Sequence, residues 1–280
     1  MKILYIAETV GKAGIYAVKS ALPALKQERK IDFVVACGDG ATGGYGLGRN
    51  HAGYLRKLGA DVLTTGECCF YKKDLVQNFD RLPYVLRPSN LSVHAPGLGA
   101  RTYAVGGKKV AVAVLLGQNG FGRLHADSPF VRLPELLERL RRETPFVLVD
   151  FHASATAEKL SLFAQADGRC SAVVGSHGRV QTADETVLPK GTAVICDAGR
   201  TGSIDSVGGT HAGTRIQEFL TGIPDWSKDA WARPELQGVV IELKEDGTAS
   251  SIERIRVSCP EVDHEGDRKD SQDNGEDSND

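Results

Sequence analysis

The sequence predicts an α/β fold built on a mostly parallel sheet. Two observations predict it. Short apolar runs of strand length alternate with amphipathic, helix-length stretches through the first third of the chain. Tight-turn signals that would join antiparallel neighbours come only in the middle and near the end.

Residues 2–7 read as the first strand. Residues 13–27 read as a helix with Ile15, Val18, Leu22 and Leu25 on one face. Pro23 inside it predicts a kink or an early end, because proline lacks the amide proton and crowds the preceding turn. Residues 33–37 form a second strand, 51–58 a helix stopped at Gly59, 62–65 a third strand and 72–79 another helix. Residues 102–105 and 109–116 flank Gly106-Gly107 and predict a hairpin. A long loop is expected over 117–133, a helix over 134–142, a strand as apolar as a buried one over 146–150 and a helix over 157–166. Residues 172–175 and 193–196 are short strands, and the glycine-rich stretch 199–213 reads as a long functional or mobile loop. Residues 238–243, an Asp246-Gly247 turn and residues 251–257 form a closing hairpin. With no repeat or Pro/Ser-rich linker, residues 1–258 are expected to be one domain.

The chain has 280 residues, enough to bury a substantial core. No signal-peptide pattern and no membrane-spanning apolar stretch is visible, so a cytoplasmic location and no membrane partner are expected. Six cysteines (Cys37, Cys68, Cys69, Cys170, Cys196 and Cys259) show neither zinc spacing nor a disulfide framework and read as buried thiols. Net charge is −2, but residues 261–280 alone carry −7, leaving +5 on residues 1–260. A mildly basic body suits an anionic small ligand and falls far short of the basic stripe that binds duplex nucleic acid. Residues 259–280 are expected to be a disordered acidic tail, since they hold too little apolar surface to offset ordering.

Chemistry gathers at strand ends, where open parallel sheets bind ligands. Glu8 follows the first strand, Asp39 the second between two glycines, Glu67-Cys68 the third, His152 the buried strand, and His177-Gly178-Arg179 a later one. Singly, each has an ordinary structural role: a solvated glutamate, a turn aspartate, hydrogen-bonded histidines, core thiols. Their repetition at successive strand ends raises a metal or phosphate site to equal standing.

The segments GDGATGGYGLG, TGECCFYKKD, RPSN, DFHASATAEKL and SAVVGSHGRVQTADETVLPKGTAVICDAGRTG, in this order, resemble the YmdB-like branch of the calcineurin-like metallophosphoesterases. The resemblance runs from Met1 to about Val257, and its most specific part is residues 172–197. It implies a four-layer α/β/β/α sandwich, two metal ions and phosphodiester hydrolysis, cyclic nucleotides included. It also implies site roles, from which this chain departs. The family's first aspartate falls at Glu8, its bridging carboxylate at Asp39, and the asparagine after it at Gly40. Its Asn-His pair, a metal ligand and a proton donor, falls at Glu67-Cys68. The next histidine is kept as His152. The closing Gly-x-His-x-His keeps His177 but has Arg179 in place of its second histidine.

Sorted by metal, one set becomes Asp39, Glu67, His152 and His177, all able to ligate a single zinc, iron or manganese ion. The other becomes Glu8, Asp39 and Arg179, and arginine offers no lone pair. A guanidinium about 4 Å from a dication costs on the order of 8 kcal/mol at an effective dielectric of about 20. Arg179 is therefore expected to replace the second cation, pairing with Glu8 and Asp39 or with a bound phosphate; the alternative is that it swings to solvent. Cys68 is a candidate weak proton donor or a thiolate ligand. Three functions stay open: a one-metal (or metal-free) protein binding a phosphate-containing small molecule or nucleotide with weak or absent hydrolysis; an active phosphodiesterase with a rearranged site; and a non-catalytic scaffold.

Overall fold

The computed structural model describes residues 1–261. In chain order the elements are β1 (Lys2–Ile6), β2 (Glu8–Thr9), α1 (Gly11–Arg29), β3 (Phe33–Cys37), α2 (Arg49–Leu58), β4 (Val62–Thr64), α3 (Lys73–Val76), β5 (Val85–Leu86), β6 (Ala100–Val105), β7 (Lys108–Leu116), α4 (Pro129–Arg141), β8 (Val147–His152), α5 (Thr156–Ala166), β9 (Ala172–Ser176), β10 (Thr186–Val187), β11 (Ala193–Ile195), β12 (Arg200–Ser203), α6 (Ala212–Thr221), β13 (Pro234–Leu243) and β14 (Ala249–Ser258).

These strands make two sheets, not one. The first runs β2-β12-β13-β1-β3-β4-β5, with β14 added on β13; the second runs β10-β11-β9-β8-β7-β6. Each keeps a parallel centre: β1-β3-β4-β5 in the first and β7-β8-β9-β11 in the second. The expected parallel sheet is thus split in two, and β13 enters the first antiparallel to β1. Alternation of strands and helices is the same for one sheet or two, so it does not separate them.

Side-chain alternation explains the layering. Ile3 and Tyr5 of β1 face the second sheet, whereas Leu4 and Ile6 face α1 and α2. Likewise Val110, Val112 and Val114 of β7 face the first sheet, and Ala111, Ala113 and Leu115 face α4 and α5. Strands buried on both faces must be apolar throughout. The result is helices, sheet, sheet, helices: a four-layer α/β/β/α sandwich.

Four local expectations change. Helix α1 does not end at Pro23 but continues to Arg29. Its face of Ile15, Val18, Leu22 and Leu25 is buried, while Pro23 and Lys19, whose carbonyl loses its bond, are exposed to water. The helix expected over 72–79 shrinks to the single turn α3 and a 3₁₀ turn, Phe79–Arg81. Helix α4 starts at Pro129, not at Pro134, which sits inside it. The glycine-rich stretch contains β12, paired with β2 and β13, and the start of α6. At the C-terminal end, Cys259 is buried and its amide donates to the Pro234 carbonyl (2.9 Å). Residues 262–280, most of the expected acidic tail, lie outside the described residues.

Candidate metal centre

The two sheets meet at one rim, and each brings part of a donor set to it. Asp39 follows β3, Glu67 follows β4, His152 ends β8 and His177 follows β9. The structure brings the four together. Glu67 bonds the Nε2 of His152 with one oxygen and reaches the Nδ1 of His177 at 3.1 Å with the other. His152 Nε2 lies 3.8 Å from Asp39 Oδ2. Glu67, His152 and His177 have donor atoms within 4.8 Å of one another, as do Asp39, Glu67 and Cys68. Phe121, from the loop before α4, meets the His177 ring edge-on with centroids 4.9 Å apart.

Charge in this set is lopsided. Asp39 is fully buried, and burial, then the nearby Glu67, pushes its carboxyl well above the usual range, although it accepts the amides of Gly66 (2.6 Å) and Cys68 (3.0 Å). Burial opposes a proton on His152, but Glu67, Asp39 and Glu8 outweigh it and hold the imidazole up to about 10. Burial would raise Glu67 as well; contact with His152 and His177 instead holds it well below the usual carboxylate range. Carboxylates, imidazoles and a thiol grouped in this way are ligand types that suit a divalent cation.

Close packing fixes the set. A Cβ on Gly66 would lie 2.3 Å from the His152 ring, so only glycine lets the 65–68 turn approach the imidazole. Ser176 donates its hydroxyl to Asp150 Oδ1 (2.7 Å) and so accepts from His152 Nδ1 (2.8 Å), which leaves Nε2 for the donor set. The other Asp150 oxygen accepts from Tyr5 (2.7 Å) and Thr64 on the opposite sheet. His177 and Arg179 both have positive φ, 91° and 55°, a conformation that persists only when its surroundings enforce it. Asp197 does so by accepting the Gly178 amide (2.7 Å), and Asp197 is itself held by the buried Lys159 ammonium (3.0 Å).

Arg179 lies beside this set and does not swing to solvent. Its Nε and Nη2 both donate to Glu8 Oε1, at 2.9 and 2.6 Å. Its remaining hydrogen bonds go to the carbonyls of Gly208 (3.0 Å) and Gly44 (2.9 Å). Glu8 is 2% exposed. Its second oxygen is buried without a hydrogen-bond partner among the described residues. A Cβ at Gly40 would stand 3.0 Å from Arg179 Nη2 and 3.0 Å from Glu8 Oε1. The glycine at 40 therefore makes room for the guanidinium. The guanidinium thus holds one Glu8 oxygen, while Glu8, Cys37 and His152 also have donor atoms within 4.8 Å of one another.

Cys68 is buried, and burial first, then Asp39, Glu67 and Glu8, pushes its thiol above the ordinary cysteine range. Sequence reasoning missed Phe121, the Asp150–Ser176 link and the Lys159–Asp197 pair. An aspartate inside an apolar strand, two residues before His152, was the available signal for the second of these.

A family model described as YmdB-like protein matches residues 4–255. The chain belongs to that family. Its relatives include the 2',3'-cyclic-nucleotide 2'-phosphodiesterase of Bacillus subtilis (strain 168), 39% identical over 259 residues, which span 92% of this chain and 97% of the relative. Among solved structures, a hypothetical protein from Thermus thermophilus superposes with a TM-score of 0.86 at 33% identity, over 93% of this chain and all of that one. A novel phosphatase from Mycoplasma pneumoniae also superposes at 0.86, with 29% identity over 92% and 93% of the two chains. The 5'-nucleotidase precursor of Thermus thermophilus, at 12% identity and a TM-score of 0.56, shares the fold alone. This YmdB-like chain is thus a member of a phosphodiesterase and phosphatase family with the metallophosphoesterase fold, which implies a divalent metal. No helix among its described residues is long and apolar enough to cross a membrane.

Proposed function

We propose that this YmdB-like protein is a one-metal phosphate site that binds a nucleotide or related phosphate ester and hydrolyses it weakly or not at all. One observation carries the reading: the Arg179 guanidinium sits on Glu8 in a cradle that Gly40 leaves open. Asp39, Glu67, His152 and His177 would hold one zinc, iron or manganese ion. That ion, when bound, supplies Lewis-acid polarisation of a phosphoryl oxygen.

The chain's own residues do the rest. Arg179 keeps a fixed positive charge beside the site, where a phosphate is attracted, but it has no lone pair with which to activate water. His152 presents Nε2 because Ser176 occupies Nδ1. Cys68 stands where the family places its proton donor; held as a thiol and 4% exposed, it protonates a leaving group poorly. Loss of half the metal clamp and of an efficient acid both slow hydrolysis.

The test is bound metal per chain, by elemental analysis, together with turnover of 2',3'-cyclic nucleotides and a generic phosphodiester. The expected results are about one metal per chain, phosphate binding and turnover far below ordinary enzyme rates. Arg179→His should raise second-metal occupancy. Two metals per wild-type chain would sink the reading. Ordinary turnover that His152→Ala abolishes would establish an active phosphodiesterase instead, and neither metal nor phosphate binding would leave the scaffold.

A further inference from the structure

The rim beside Arg179 carries a feature that phosphate binding does not use. A cavity of about 450 Å³ is lined by Tyr45, Tyr71, Lys72, Trp226 and Asp229. Its size suits a small organic ligand. Tyr45 and Trp226 meet edge to face, with ring centroids 5.1 Å apart at 89°. The third ring, Tyr71, lies under the Arg123 guanidinium at 5.6 Å. Trp226 is 68% exposed, an unusual setting for the largest apolar side chain.

Two walls of this cavity begin at the site. On one side, the Gly44 carbonyl accepts from Arg179, and Tyr45 is the next residue. On the other, the Tyr71 amide donates to the Cys68 carbonyl (3.0 Å), and the Cys68 amide donates to Asp39. The third wall is pinned at its base. Ser227 donates its hydroxyl to the His211 carbonyl (3.0 Å), and Asp229 accepts the amide of Lys12 in the first turn of α1 (2.7 Å). Tyr45 and Tyr71 are therefore carried on backbone one and three residues from atoms that hold Arg179 and Asp39, and Trp226 stands on the pinned third wall.

The geometry points to a nucleobase subsite: Trp226, Tyr45 and Tyr71 take the base of a nucleotide whose phosphate lies at Arg179 and the donor set. Aromatic faces accept any base by stacking, and the adjoining cations suit a ligand that is anionic at one end. The inference rests on the phosphate reading for the position of the phosphate, but the subsite itself can be probed without it.

The experiment titrates the metal-loaded full chain with adenosine 3'-monophosphate, adenosine and inorganic phosphate. It is followed by calorimetry and by the fluorescence of Trp226 and Trp231, the two tryptophans of the chain. The nucleotide should bind at least tenfold tighter than phosphate and quench Trp226. Trp226→Ala and Tyr71→Ala should each weaken the nucleotide on the order of tenfold, leaving inorganic phosphate within twofold. Trp226→Phe should retain most of the affinity, as a ring replacing a ring does. If phosphate binds but the nucleotide binds no tighter, or if both alanine variants bind it as wild type does, the subsite is overturned and the phosphate reading survives. If phosphate does not bind while adenosine still quenches Trp226, the phosphate reading fails and the subsite stands. A change of oligomeric state in Trp226→Ala with unchanged nucleotide affinity would assign this face to a second copy and overturn the subsite.

Discussion

Replacing Arg179 with methionine, in chelator-treated protein, tests whether the guanidinium is structural. The change keeps an unbranched side chain and removes the charge. Glu8, 2% exposed, would lose both donors to Oε1 while its other oxygen already has none among the described residues. Two unit charges about 4 Å apart attract by about 4 kcal/mol at an effective dielectric of about 20. Stranding one partner of a buried pair typically costs about 3–5 kcal/mol. The carbonyls of Gly44 and Gly208 also lose a donor, so a single variant does not isolate the pair. A double-mutant cycle with Glu8→Gln does. Denaturant unfolding should show a loss of about 3–5 kcal/mol for Arg179→Met and a coupling to Glu8→Gln of at least ~2 kcal/mol. A loss under about 1 kcal/mol, the worth of a surface pair, or additivity in the cycle would refute the buried-pair account.

Three more predictions test the donor set and its frame. Gly66→Ala places a methyl 2.3 Å from the His152 ring, so metal affinity should fall at least tenfold while the fold is kept; wild-type affinity in a chelator competition would refute the close-approach argument. Ser176→Ala removes the acceptor that fixes His152 Nδ1, and metal affinity should drop about 10–100-fold; Ser176→Thr should restore most of it, and an unmoved alanine variant would disprove the tautomer assignment. Asp184 accepts the Cys196 amide at 3.1–3.2 Å; burial would raise its carboxyl, but the bonds from Cys196 and Thr182 hold it below the usual value. A depressed folded-state pKa gives stability that is present above the unfolded value of about 3.9 and is lost as pH falls through the folded one. The stability gap between wild type and Asp184→Asn should therefore be constant near neutrality and shrink as pH falls below about 4; a gap unchanged down to about pH 2 would contradict it.

Much of this was legible in the sequence, and the gaps have physical causes. Apolar runs and turn pairs located the hairpin of β6 and β7, the pair β13–β14 and the buried strand β8, because pattern and burial agree there. The division into two sheets was not legible from periodicity, since β1 and β7 are apolar on both faces whichever sheet flanks them. Strand β12 was hidden by Gly199 and Gly202, which mute the strand signal; its partners on β2 and β13 are remote in the chain. At the site, residue types at strand ends pointed to side chains that the fold gathers at one rim, but not to the cradle. That Gly40 makes room for Arg179 across 139 positions is a matter of packing that only coordinates supply.

The bonds of Tyr5 and Thr64 to Asp150 cross from one sheet to the other, and so does the donor set: Asp39 and Glu67 come from the first sheet, His152 and His177 from the second. A cation held there would act as a rivet through the sandwich. At a free concentration a hundredfold above its dissociation constant it adds about 2.7 kcal/mol to folding. Selection for a folded chain alone would then preserve these four residues, whatever the demand on turnover.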